Sequence, residues 1–191
     1  MTEGQEILEK YALIRTLRVF LSQPDRKFSI TELAKEAKIA PSAAKYCLEY
    51  AKENSMINMG SVGRAYQFNA DTDAFLTRQW KILFSLIELK KSGMIENILK
   101  TRKTILNILL YGSVSRGTDD QLSDIDIIVI ADTTIQGKRD ILACATGTIR
   151  EPNITVYTPS EWRRKAANDK IFYENVIVYS IALYGEKPVV L

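Results

Sequence analysis

Gly112, Ser113, Arg116, Ser123, Asp124 and Asp126 fall within the 15 residues GSVSRGTDDQLSDID, directly behind an apolar run, Ile105-Leu106-Asn107-Ile108-Leu109-Leu110-Tyr111. A Gly-Ser turn lets backbone N–H groups approach a phosphate, and the serine hydroxyl adds a donor. Side chains alternate along a strand, so Asp124 and Asp126 are expected on one side, about 6.5–7 Å apart along the backbone, where two carboxylates can share hard divalent cations. Arg116 can neutralise charge on a transferred group or on pyrophosphate. The sequence contains no histidine, which excludes Ser-His-Asp triads, Cys-His dyads and histidine metal sites. Its two cysteines, Cys47 and Cys144, form neither a CxxC pair nor a disulfide framework. The chemistry left is that of carboxylates, hydroxyls, lysines and bound metal.

These residues need a frame. The run ending at Tyr111 reads as a buried strand, Val114 to Asp120 as a short helix and turn, and Ile127-Ile128-Val129-Ile130 as a second buried strand. Lys138 to Gly147 reads as a crossover helix, Glu151 to Tyr157 as a third strand and Pro159 to Asp169 as a helix with Glu161 near its start. Phe172 to Tyr184 reads as one apolar helix, and Trp162 and Tyr173 as packing residues.

The window GSVSRGTDDQLSDIDIIVI resembles the nucleotidyltransferase superfamily of the DNA polymerase beta type, above all its minimal members. The resemblance extends from Glu96 to Leu191, and NITVYTPSEW and IALYGE resemble the later part of such domains. It implies a mixed sheet with flanking helices and an NTP bound through Gly112 and Ser113, with Arg116 and Ser123 beside it. It further implies Mg2+ or Mn2+ on Asp124 and Asp126, and in-line transfer of a nucleoside monophosphate with release of pyrophosphate. Some minimal members act on a partner protein, so a protein target is one implied acceptor, a small-molecule hydroxyl the other. The family normally adds a third carboxylate from a later strand. Glu151, Asn153, Thr155 and Tyr157 share a face there, and the matching position is Asn153, or Thr155 after a two-residue shift; neither is a carboxylate, and Glu151 substitutes only if the register moves by two residues. Asn153 is therefore taken into the catalytic set with Asp124 and Asp126, and a transcription regulator whose nucleotidyltransferase-fold domain binds nucleotide without turnover stands as the alternative.

Ahead of this window the pattern is helical. Apolar residues recur at helical spacing from Gln5 to Leu21, and Pro24 and Asp25 end that helix. A short helix with Thr31 as its N-cap follows Lys27-Phe28-Ser29-Ile30, and Pro41 and Ser42 open another that runs to about Asn54. Ala44, Cys47, Leu48 and Ala51 form its inner stripe. Met56 to Met59 and Arg64 to Phe68 are expected to form a hairpin around Gly60-Ser61-Val62-Gly63. The stretch Ile30 to Phe68 resembles winged helix-turn-helix DNA-binding domains. That resemblance makes the Pro41 helix a recognition helix, with Ser42, Ala43, Lys45 and Tyr46 as contacts to double-stranded DNA and Arg64 reaching from the wing. So few basic residues per protomer favour a homodimer.

The fold class expected is α/β (α+β), divided into a winged helix at 1–70, a linker or dimerisation helix at 71–94 and a nucleotidyltransferase domain at 95–191. With 191 residues, 46% hydrophobic and 26% charged, and a mean hydropathy of −0.10, the chain has a globular composition. A net charge of +3 is too mild to mark nucleic-acid binding by itself. No apolar run nears the roughly 18–20 residues of a membrane span, and the acidic N-terminus is unlike a signal peptide, so a cytoplasmic protein with no membrane contact is expected.

Overall fold

The computed structural model describes residues 10–63, 65–101, 104–148 and 150–190, without the Val62 side chain. Two compact units divide the chain, Met1–Phe84 and Ser85–Leu191.

In the first unit, α1 (Ala12–Ser22), α2 (Ile30–Ala37) and α3 (Pro41–Glu53) precede a hairpin of β1 (Ile57–Val62) and β2 (Ala65–Ala70). The first helix begins at Ala12 because Tyr11 is extended, at φ −85° and ψ 128°; the earlier turns expected from Gln5 lie outside the described residues. The second helix starts earlier than its expected cap at Thr31. Ser29 accepts from the Glu32 N–H, and the Glu32 carboxylate accepts from the Ser29 N–H at 2.8 Å, a reciprocal pair that fixes the start. The Ser29 backbone N–H (the largest cause) and hydroxyl together hold the Glu32 carboxyl below its usual range. Lys38 closes α2 in the left-handed region and Pro41 opens α3. Phe28 forms an antiparallel bridge with Phe68, placing a short extended piece against the wing. Leu17, Phe20, Phe28, Leu33, Leu48 and Met56 are buried in this unit. The strands run further than expected, β1 to Val62 and β2 to Ala70, so that Gly60 and Ser61 lie in the ladder and Gly63, at φ +60°, follows it. This order of helices, bridge and hairpin is that of a winged helix-turn-helix. The next helix, α4 (Phe75–Ser92), begins later than the expected residue 71, and its Phe75 and Leu83 are exposed.

The second unit holds the end of α4, then α5 (Met94–Leu99), β3 (Thr104–Tyr111), α6 (Gly112–Arg116), β4 (Ile125–Asp132), α7 (Ile135–Ala143), β5 (Pro152–Tyr157), α8 (Pro159–Asn168), α9 (Lys170–Tyr179) and β6 (Ile181–Tyr184). The sheet order is β5-β4-β3-β6, with β4 and β5 parallel and the other pairs antiparallel. Both central strands are buried on both faces, which is why they read as unbroken apolar runs. Ile108, Leu110, Ile127 and Val129 pack with Leu89, Met94, Ile98 and Ile141 on one side. Leu109, Ile128 and Ile130 pack with Trp162 and Val176 on the other. Trp162 donates its indole N–H to the Pro188 carbonyl at 2.8 Å, which satisfies its polar atom inside the core.

Two expectations change here. The apolar stretch from Phe172 is not one helix: Ser180 turns extended, at φ −72° and ψ 158°, and Ile181–Tyr184 becomes the edge strand β6 beside β3. The crossover helix starts at Ile135, where the Thr134 side chain accepts from the Gly137 N–H, and stops at Ala143.

Candidate functional site

The site is built where β3 ends and β4 begins. Tyr111 and Asp126 face each other in the antiparallel register, and the chain turns into α6 at Gly112 with φ +79°. A side chain cannot replace this glycine without cost. Its Cβ would lie 3.1 Å from Asp126 Cγ and 3.3 Å from Asp126 Cβ, with a carboxylate oxygen closer still. The Gly112 turn and the second aspartate therefore lie close against each other.

Between them, residues 117–124 form a tied loop. Gly117, at φ 68°, closes α6, and Thr118 donates through its N–H to the Ser113 carbonyl at 3.1 Å. Asp120 accepts from the Ser123 hydroxyl at 2.7 Å and from the Leu122 N–H at 3.0 Å. The Ser123 hydroxyl and the Leu122 N–H hold the Asp120 carboxyl below its usual range. Ser123, read as a nucleotide contact, thus spends its hydroxyl within the loop. Asp124 stands exposed just before β4 and Asp126 half-buried within it.

Across the sheet, Asp126 pairs in register with Asn153 and Ile128 with Thr155, which places the amide, not the hydroxyl, beside the carboxylate pair. Asn153 Nδ2 donates to Asp126 Oδ1 at 2.9 Å. An ionised carboxylate only accepts, so the amide must present its nitrogen. Tyr111, Asp126 and Asn153 form a row over three strands. Burial first, and the Asp126 charge second, push the Tyr111 phenol up. Among the described residues, no three Asp, Glu or Cys side chains gather as a metal cage. Two carboxylates fit a divalent cation that completes its shell with triphosphate oxygens, which is how Mg2+ is commonly held.

Exposed Arg116 lies one turn beyond Ser113 with its guanidinium 5.9 Å from the centre of the Tyr179 ring. Tyr179 was not legible as a neighbour of this site, since nothing in the sequence pairs the end of α9 with α6. Asp120 was: the spacing Asp-x-x-Ser is a turn signal. A cleft of ≈ 600 Å³ lined by Lys138, Tyr157, Glu161, Arg164 and Lys165 lies toward the other end of β5, and its cations Lys138 and Lys165 are paired with Glu161 and Asp169.

On the winged helix, Ser42, Lys45 and Tyr46 are exposed along the first half of α3 and Ala43 is half-buried, while Ala44, Cys47, Leu48 and Ala51 are buried. Lys45 lies 4.0 Å from Glu49. Arg64 lies outside the described residues. No helix among the described residues is long and apolar enough to cross a membrane.

No curated protein matches the chain. Among solved structures it is similar to TrmBL2, an archaeal chromatin protein whose structure shows a novel mode of DNA binding, at 12% identity over 88% of this chain and 74% of that one. The TM-score is 0.31, too low to bear on fold or function. Residues 94–183 match the family described as polymerase beta, nucleotidyltransferase, and they contain the Gly112 turn, the aspartate pair and Asn153. The segment 94–183 of this chain is a nucleotidyltransferase domain of the polymerase beta family.

Proposed function

We propose that this domain binds a nucleoside triphosphate with Mg2+ or Mn2+ and transfers the nucleoside monophosphate to a hydroxyl of a small molecule or a protein. The observation that supports the reading is the close approach of the Gly112 turn to Asp126. The Gly112-Ser113 turn takes the phosphates, and Asp124 and Asp126 hold the cation. When bound, the cation neutralises the triphosphate and polarises its α-phosphorus. The acceptor oxygen forms a bond to the α-phosphorus as the bond to pyrophosphate breaks, and the hydroxyl proton passes to solvent. Arg116 stabilises the charge that develops on the leaving pyrophosphate.

A second reading, nucleotide binding without turnover, is favoured by Asn153. Its amide supplies no base, removes a negative charge from the site and occupies one Asp126 oxygen. In both readings the winged helix binds double-stranded DNA through Ser42, Ala43, Lys45, Tyr46 and Arg64. A homodimer formed through the helical segment 71–94 doubles the phosphate contacts.

The test is calorimetric titration of ATP and the other NTPs, with Mg2+ and with Mn2+, on wild type and on the Asp124→Ala, Asp126→Ala double variant, with pyrophosphate release measured alongside. Pyrophosphate release that Asp126→Ala abolishes supports transfer. Metal-dependent binding without release supports the second reading, and binding of no NTP removes both.

A further inference from the structure

The loop between the Gly112 turn and Asp124 is anchored to the rest of the domain through Asp119. Asp119 is 8% exposed, and its Oδ2 accepts from Arg150 Nη1 at 2.8 Å. Arg150 Nη2 also donates to the hydroxyl of buried Ser85 on α4 at 3.1 Å. Arg150 leads into β5, and the Ile125 N–H donates to the carbonyl of the next residue, Glu151, at 3.1 Å. One guanidinium thus joins the loop that ends in Asp124, the strand that carries Asn153, and a helix packed on the same sheet. A planar fork with fixed donors can serve two acceptors at once, whereas a lysine offers one point charge.

Burying such an ion pair is costly, and an apolar pair of similar volume often stabilises a fold as well or better. Fold stability alone therefore does not account for it. On either side of Asp119, Thr118 is tied to Ser113 and Asp120 to Ser123. Asp119 stands between these two ties, so its ion pair fixes the segment that joins Ser113 to Asp124 against the start of β5, in addition to the pairing of β3 with β4.

We propose that Asp119 and Arg150 are positioning residues of the nucleotide and metal site, acting through the loop to hold Ser113 and Asp124 at the separation that one cation-bound triphosphate spans. The inference rests on the nucleotide-binding reading given above.

The test uses the full chain, ATP and Mg2+. Asp119→Asn with Arg150→Met removes both charges and leaves no unpaired ion in the interior. This double variant is expected to melt near the wild-type temperature. It is also expected to need about tenfold more Mg2+ for half-maximal ATP binding, the usual scale for losing a group behind a metal ligand. Arg150→Lys, which keeps the charge but not the fork, is expected to fall between the two. A purely structural role moves the melting temperature and leaves the Mg2+ midpoint in place. A double variant that binds ATP within about twofold of wild type at every Mg2+ concentration overturns the proposal and leaves the nucleotide reading standing. Wild-type protein that binds no ATP at any Mg2+ concentration overturns both.

Discussion

Gly112→Ala separates the turn's backbone requirement from its contact with the carboxylate. At φ +79° an L-residue pays about 1–2 kcal/mol for the left-handed region. The added Cβ would also fall within 3.0 Å of an Asp126 carboxylate oxygen, the far end of a flexible side chain, so the carboxylate swings aside at small cost to the fold. The expected loss is about 2 kcal/mol, or roughly 10 °C in the melting of the C-terminal unit. Gly185→Ala is the control. Its φ is +67° and its Cβ would meet the Leu106 carbonyl oxygen, rigid backbone at the opposite end of β3 from Gly112. Both variants should melt lower, Gly185→Ala by at least as much. Only Gly112→Ala should lose Mg2+-dependent ATP binding in calorimetry, because only there does the displaced atom belong to a residue proposed to hold the metal. Gly112→Ala protein that binds ATP as wild type does, or Gly185→Ala protein that loses binding equally, would refute the reasoning.

Replacing Asn153 by Asp turns a hydrogen bond into two facing carboxylates; the variant should melt below wild type without divalent cation and recover with Mg2+, and equal melting in both conditions would count against the site. Glu161, capping α8 and paired with Lys138, has its carboxyl pulled from 4.5 to about 2, chiefly by the Lys138 ammonium. A depressed folded value stabilises above the unfolded one, so the advantage of wild type over Glu161→Gln, which keeps the cap, should be full above pH 4.5 and fade as pH falls toward 2 in urea titrations at stepped pH. On the winged helix, Lys45→Ala should weaken DNA binding alike on all sequences. It should also lower the slope of log affinity against log salt by about 1 for a monomer and about 2 for a dimer, and an unchanged slope would remove Lys45 from the interface.

What the sequence shows of this site is what lies close together in it. Gly112, Ser113, Asp124 and Asp126 are local, their spacing sets their chemistry, and the apolar runs on either side announce two buried strands. The capping residues at Ser29 and Thr134 were equally local, but competing hydroxyls at Thr31 and later starts masked which one served. The stretch from Phe172 to Tyr184 carries no period that separates a helix from a helix followed by a strand, since both of its halves are apolar. There the choice belongs to β3, whose free edge accepts Ile181–Tyr184.

Register and distant pairing were beyond reach for a different reason. β4 and β5 are parallel and joined by a crossover through α7, so no tight turn fixes which residue of β5 meets Asp126. Asn153 and Thr155 lie on one face, and a slip of two residues exchanges them without altering which side chains are buried, so the apolar pattern is silent between them. The hydrogen bond from Asn153 to Asp126 exists only in one of these registers. It turns the amide nitrogen toward the acceptor-only carboxylate, and an asparagine in either orientation gives the position no base. Asp119 and Arg150 are separated in the same way, charged residues in two different loops whose pairing no local spacing announces. The residues proposed to hold the phosphate and metal are thus local in sequence, whereas Asn153, Asp119 and Arg150 find their partners only through tertiary contacts.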